Sequence, residues 1–200
     1  KEDLIFQNFQ ESMGSVVFNS SLLKIARDIL IQKKIIVFGV DFNSLEIKSK
    51  SLVHLNRKNY NFNKIIISLG KNYENINTLK KNYFHSKHQA YVGFFNHQKN
   101  HNQTAHEVFT PNGPLAVLPS PSPLKKSSTF IYSTKNEMSF DSLSNLINNY
   151  FHVSHGKINV KRSVSSYPIS PHLAKPKQKD VLLLGDTAHS IHPVAGQGWN

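Results

Sequence analysis

The sequence predicts an α/β protein interrupted by an antiparallel α+β insert, and three patterns carry that expectation. Two aliphatic runs, Lys64–Ser68 and Asp180–Leu184, are continuous enough for strands buried on both faces, as in a parallel sheet. Between them lie four short segments, Gln89–His97, His106–Thr110, Leu115–Leu118 and Thr129–Ser133, separated by Asn-Gly and Pro-Ser turns. Such spacing is that of antiparallel hairpins. Helical periodicity appears twice, at Leu22, Leu23, Ala26, Ile29 and Leu30 and again at Phe140, Leu143, Leu146, Ile147 and Tyr150.

Taken in chain order, Ser20 or Ser21 is placed to cap the first helix. Short strands are expected at Lys33–Val40, Leu45–Lys48 and Leu52–Asn56, and the Lys64–Ser68 strand ends at Gly70. The hairpins and the helix Phe140–Phe151 follow. A strand over Ile158–Tyr167 then returns the chain, through a connector at Pro168–Lys179, to the strand Asp180–Leu184. One sheet domain, residues 1–75 and 171–200, is thus expected to be interrupted by a second at 76–170.

Composition narrows the function. A hydrophobic fraction of 38% with 13 Phe and 7 Tyr is enough for a packed core. The absence of cysteine removes disulfides, thiolate metal sites and Cys nucleophiles together. No apolar run approaches the roughly 18 residues of a membrane-spanning helix, and the N-terminus carries no signal-peptide pattern. These features point to a soluble, cytoplasmic chain. A formal net charge of +12 favours polyanions. The lysines are scattered rather than clustered, and a Lys, Asn and Ile bias follows from AT-rich coding, so a solvated basic face is expected and nucleic acid is not. Such a face also suits an anionic membrane surface or a phosphate-bearing cofactor.

The chemistry lies in the last twenty residues. A buried strand delivers Gly185-Asp186 to its carboxyl end, where open α/β sheets place their ligands. A carboxylate there accepts hydrogen bonds from polyol hydroxyls. The turn Gly196-Gln197-Gly198 leaves backbone N–H groups clear to face a group that becomes anionic. A reduced flavin fits both demands. The spacing of Asp186, His189 and His192 also allows a metal reading, but Pro193 and the glycines limit any helix there to about a turn, and no metal is expected.

The segment Gly185-Asp-Thr-Ala-His-x-x-x-Pro193-x-x-Gly196-Gln-Gly-x-Asn200 resembles the second flavin motif of class A FAD-dependent aromatic hydroxylases, the p-hydroxybenzoate hydroxylase fold. The His-Pro context and Gly113-Pro-Leu-Ala-Val-Leu-Pro119 are similar, more narrowly, to ubiquinone-biosynthesis hydroxylases of the UbiH/VisC type. Met13-Gly-Ser-Val-Val-Phe-Asn19 and Ser165-Ser-Tyr-Pro168 resemble further segments of that family. The resemblance implies a Rossmann-like FAD-binding domain interrupted by an antiparallel-sheet substrate domain. Gly185, Asp186, Pro193, Gly196, Gln197, Gly198 and Asn200 would bind FAD, with Asp186 on the ribityl or pyrophosphate side and Pro193 against the isoalloxazine. It implies NAD(P)H as reductant, dioxygen as co-substrate and a prenylated phenol as substrate, with no side-chain nucleophile. Peripheral membrane contact and a complex with other ubiquinone-biosynthesis proteins are further expectations.

Four departures accompany it. Nothing matches the family's Gly-x-Gly-x-x-Gly unit, and the sequence stops at Asn200 inside the flavin loop, as expected of an internal fragment that is inactive alone. Leu69, in Ile67-Ser-Leu-Gly70, replaces the acidic residue of the family's Gly-Ala-Asp-Gly segment. Ser20 stands where an Arg often follows the Asn19 equivalent. The alternatives are a class A hydroxylase of another phenol, a non-catalytic flavoprotein-like assembly partner, and a basic nucleic-acid-binding module.

Overall fold

A computed structural model describes residues 5–6, 14–35, 46–48, 52–55, 57–70, 81–84, 86–175, 177–178 and 181–191. It is a mixed α+β molecule in which antiparallel pairing dominates and one pair is parallel. The helix α1 (Asn19–Gln32) comes first, and none of its residues is buried. Its N-cap is Phe18, in extended conformation and without a side-chain hydrogen bond, so neither Ser20 nor Ser21 caps it. The helix ends in a turn at Lys33-Lys34, with Lys34 at φ 56°, so the strand expected from Lys33 cannot begin there; residues 36–40 lie outside the described ones.

Strands β1 (Glu46–Ile47), β2 (Leu52–Leu55) and β3 (Lys58–Asn61) form an antiparallel meander, the last of them a strand that the sequence pattern did not announce. Next come β4 (Ile65–Ile67) and β5 (Lys81–Tyr83). The largest sheet follows: β6 (Gln89–His97), β7 (His106–Thr110), β8 (Gly113–Pro119) and β9 (Ser127–Thr134), all antiparallel in the order β6-β9-β8-β7. All four fall on the segments that the Asn-Gly and Pro-Ser turns delimit, with β8 and β9 extended by a residue or two at each end.

The helix α2 (Phe140–His155) lies across one face of this sheet. Ser139 caps it, its Oγ accepting the Ser142 N–H at 3.2 Å. Gly156, at φ 73°, closes it by donating its N–H to the His152 carbonyl at 2.8 Å. Leu143, Ile147, Phe151 and His155 are its buried residues, one stripe at four-residue spacing. The stripe packs on Tyr91, Phe95, Leu115, Val117, Phe130 and Tyr132. Burying a side chain of this size contributes about 1.5–3 kcal/mol.

The return path differs from the single strand expected at Ile158–Tyr167. Two strands, β10 (Ile158–Val160) and β11 (Ser165–Pro168), both pair with β6, and a tight turn between them is closed by the Val164 N–H on the Arg162 carbonyl at 2.9 Å. The expected connector Pro168–Lys179 holds β12 (His172–Ala174), paired with β5, and β13 (Lys177–Gln178). The chain then enters β14 (Val181–Leu183), a 3-10 turn at Gly185–Thr187 and β15 (His189–Ser190), which pairs with β12. Strand β14 runs parallel to β4, with Val181, Leu182 and Leu183 opposite Ile65, Ile66 and Ile67. The two aliphatic runs, separated by the whole antiparallel sheet, are therefore neighbours.

Candidate functional site

Two glycine turns meet at the carboxyl end of the parallel pair, the first feature of the site. Beyond Ile67 the chain runs through Ser68 and Leu69 to Gly70, at φ 66°; beyond Leu183 it runs through Leu184 to Gly185, at φ 58°. Both glycines adopt left-handed backbone that disfavours any side chain, and a Cβ at either would meet nothing within 4 Å, so each turn opens onto free space. Hydrogen bonds tie the two exits together: the Leu184 N–H donates to the Ile67 carbonyl at 2.9 Å, and the buried Thr187 hydroxyl donates to the Gly70 carbonyl at 3.2 Å. Asp186 follows Gly185 in the 3-10 turn with its side chain exposed. A crevice outside the carboxyl ends of adjacent parallel strands is where open α/β sheets take nucleotide-like ligands. Pro193, Gly196, Gln197, Gly198 and Asn200 lie outside the described residues.

Leu69 has a structural role in place of an acidic one. It packs, partly buried, on the small core of Ile67, Ala174, Val181, Leu183 and Ala188. Beside this core, His172 on β12 is buried between β5 and β15, its ring 5.7 Å from that of Tyr83. Its Nε2 has no hydrogen-bond partner. Nothing in the Pro- and Lys-rich sequence around it had marked His172 as part of this junction.

The large sheet supplies the second feature. Its strands alternate between a face covered by α2 and a face that α2 leaves open. Paired residues on the open face are Val92, Ile131, Ala116 and Glu107 in one row, and Phe94, Thr129 and Leu118 in the next. Ser165 of β11 extends the first row on the far side of Val92. Apart from Glu107, Thr129 and Ser165 these rows are apolar, and Phe94 is exposed. At the β7–β8 turn a cleft of about 380 Å³ is lined by His88, Thr110, Asn112, Gly113 and Lys135, among others.

A histidine cluster sits on the α2 side, away from both features. His155, in the last turn of α2, lies 4.7 Å from the His97 ring and 5.6 Å from that of His106; His97 lies 6.1 Å from His101. His97 spends both ring nitrogens, on the Lys99 carbonyl at 2.7 Å and the Ser128 hydroxyl at 3.0 Å. Burial holds the His97 imidazole below its ordinary pKa, and burial together with His97, His106 and His101 takes His155 down to about 4. Among the described residues no group of three His, Asp or Glu is arranged to hold a metal ion. No described helix is long and apolar enough to cross a membrane.

No family model matches the chain. Solved structures do resemble it. The flavin-dependent brominase Bmp2 superimposes with a TM-score of 0.64 and 8% identity, over 91% of this chain and 51% of that one. The chain has a flavin-dependent hydroxylase-like fold. The p-nitrophenol 4-monooxygenase PnpA from Pseudomonas putida DLL-E4 superimposes at 0.57 with 14% identity, over 80% of this chain and 43% of that one. The aromatic hydroxylase CabE, from angucycline biosynthesis, does so at 0.56 with 12% identity, over 90% and 40%. The chain thus spans about half the length of the brominase and about two-fifths of each hydroxylase.

Proposed function

We propose that this chain provides the flavin crevice and the substrate sheet of an FAD-dependent monooxygenase that hydroxylates an aromatic ring with NAD(P)H and dioxygen. The observation that carries the reading is the parallel β4–β14 pair, whose two strands leave through open, left-handed glycine turns tied by Thr187 and Gly70. The residues fit the group: a flavin needs close backbone approach, which Gly70 and Gly185 allow, and a polar partner for its polyol chain, which exposed Asp186 offers. In this reading Gly185, Asp186, Pro193, Gly196, Gln197, Gly198 and Asn200 hold FAD. When bound, it accepts a hydride equivalent from the nicotinamide and passes an oxygen atom from dioxygen to an electron-rich ring.

The chain's own contribution is positional. Residues 1–75 and 171–200 form part of the FAD-binding domain and residues 76–170 the substrate domain. The open rows of the sheet exclude water from one side of the ring, which is held by apolar contact. The finer assignment follows the motif from Gly185 to Asn200 and the segment from Gly113 to Pro119: a UbiH/VisC-type hydroxylase acting on a prenylated phenol of ubiquinone biosynthesis. That substrate is consistent with a protein working against a membrane surface, in company with other enzymes of the route. A second reading, a flavoprotein-like assembly partner without turnover, is favoured by Leu69, which fills the acidic position with a core residue.

Flavin content of the intact gene product tests the site. Asp186→Ala and Gly198→Val are expected to lower bound FAD at least tenfold without loss of fold by circular dichroism. Unchanged flavin content in both variants overturns the assignment.

A further inference from the structure

Lysines that the sequence scatters are gathered by the fold at one end of the large sheet. The segment 97–101, which leaves β6, is hydrogen-bonded on both sides. The His97 and His101 N–H groups donate to the Lys126 and Lys125 carbonyls, each at 3.0 Å. The Gln98 and Lys99 N–H groups donate to the Lys157 and His155 carbonyls, at 3.1 and 2.9 Å. Lys99, Lys125, Lys126 and Lys157 thus share one exposed end, formed by the close of β6, the loop before β9 and the chain leaving α2.

No carboxylate answers this charge. Residues 97–101, 120–127 and 152–159 hold the four lysines and no Asp or Glu. Residues 76–170 contain only Glu107, Glu137 and Asp141 as acids. Glu137 and Asp141 flank the start of α2, and its 16 residues put them about 24 Å from the end where the lysines lie. Glu107 belongs to the row that meets β6 at Val92, four residues or about 13 Å before Asn96. Lys99 has a structural task, its Nζ donating to the Val153 carbonyl at 2.8 Å. Among the described residues Lys125, Lys126 and Lys157 form no ion pair.

Two aliphatic side chains are exposed at the same end, Val153 at 71% and Leu124 at 46%. The three segments hold no Arg, Phe, Tyr or Trp, the residues that grip nucleic acid by forks and stacking. Lysines around exposed aliphatic groups match a lipid surface instead. Their ammonium groups meet anionic headgroups, and the aliphatic side chains enter the boundary with the acyl chains.

We propose that this end of the large sheet is a docking surface for an anionic lipid membrane, with Lys125, Lys126 and Lys157 on the headgroups and Val153 and Leu124 at the acyl boundary. The inference deepens the membrane-facing part of the reading above and requires neither bound flavin nor turnover. The open row Phe94, Thr129 and Leu118 comes within two residues of this end, at Asn96, Ser127 and Ser120. A chain-bearing phenol leaving the lipid meets that row first.

Co-sedimentation of the intact gene product with vesicles tests the surface. Wild type is expected to bind phosphatidylcholine vesicles that contain phosphatidylglycerol, not phosphatidylcholine alone, and to be released by high salt. Each lysine near such a surface contributes about fivefold, so Lys125→Glu/Lys126→Glu/Lys157→Glu is expected to weaken binding about a hundredfold. The milder Lys125→Gln/Lys126→Gln/Lys157→Gln and the apolar-arm variant Leu124→Asp/Val153→Asp are expected to weaken it as well. Lys58→Glu/Lys64→Glu/Lys175→Glu, with the same change in net charge elsewhere, is expected to keep most of it. Circular dichroism checks that each variant is folded. Absence of wild-type binding to the anionic vesicles, equal losses in the two Lys→Glu variants, or tighter binding to RNA through the same lysines overturns the proposal. Flavin content and hydroxylation are read separately, so any of these results leaves the hydroxylase reading standing.

Discussion

Replacing His155 by Phe should remove most of one acid-sensitive step from the stability of the protein. The His155 ring is 2% exposed, packed against Phe95 and Phe151, with its Nε2 lacking a hydrogen-bond partner. Charging it would strand an imidazolium beside His97 from β6, His101 from the following loop and His106 from β7. The ammonium of Lys99, which donates to the Val153 carbonyl at 2.8 Å, lies close by on the α2 terminus. The negative end of the α2 dipole opposes this by about 0.3–1 kcal/mol, less than the desolvation. The folded pKa is depressed from 6.5 to about 4, so the neutral ring's contribution is complete above pH 6.5 and is lost as pH falls toward 4. Linkage then gives about 2 kcal/mol lost at pH 5 relative to pH 7.5. Urea unfolding followed by far-UV circular dichroism at the two pH values measures it. His155→Phe keeps the aromatic packing and should reduce the pH-dependent loss by about that amount; His97, also depressed by burial, leaves a smaller residue in both proteins. An equal loss in wild type and variant refutes the reasoning.

Other consequences follow from particular contacts. Gly113→Ala places a Cβ on the Ser133 carbonyl oxygen of β9 at a φ of 137°, so the variant should lose roughly 2–4 kcal/mol and melt at lower temperature by calorimetry. Thr187→Val removes the hydroxyl that bridges to the Gly70 carbonyl and should cost about 1 kcal/mol in denaturant unfolding, with faster amide exchange at Leu184. Ser139→Ala removes the α2 cap and should cost about 1 kcal/mol, whereas Ser139→Asp, which restores an acceptor, should recover most of it in the same assay.

The antiparallel sheet was legible because Asn-Gly and Pro-Ser turns cut residues 88–134 into strand-length segments; which residues face inward, as Tyr91, Gly93 and Phe95 do while Phe94 and Asn96 are exposed, came from the structure. The two aliphatic runs were legible as strands, and their parallel pairing is the physical consequence of a crossover that contains an entire sheet. Local signals failed where strands were too short to alternate. His172–Ala174 has three residues between Pro171 and Pro176, and its partners, β5 and β15, lie far away in sequence. The seryl cap of α1 failed because the chain is still extended at Phe18 and turns helical at Asn19, a residue before Ser20. The split between β10 and β11 comes from the Arg162–Val164 turn, which polar Lys161-Arg162-Ser163 foreshadows only in hindsight. Of the site, Gly185 and Asp186 were visible as a strand end with a motif.

In the proposed reaction an aromatic ring is hydroxylated on this sheet with flavin bound at the glycine turns. The most direct test supplies the flavin-loaded intact gene product with NAD(P)H, isotopically labelled dioxygen, halide salt and an alkylphenol, and analyses the ring product by mass spectrometry. The expected product is a phenol carrying one labelled oxygen atom, with nicotinamide oxidised in proportion. A halogenated ring, or flavin that stays bound while neither dioxygen nor nicotinamide is consumed, would contradict it.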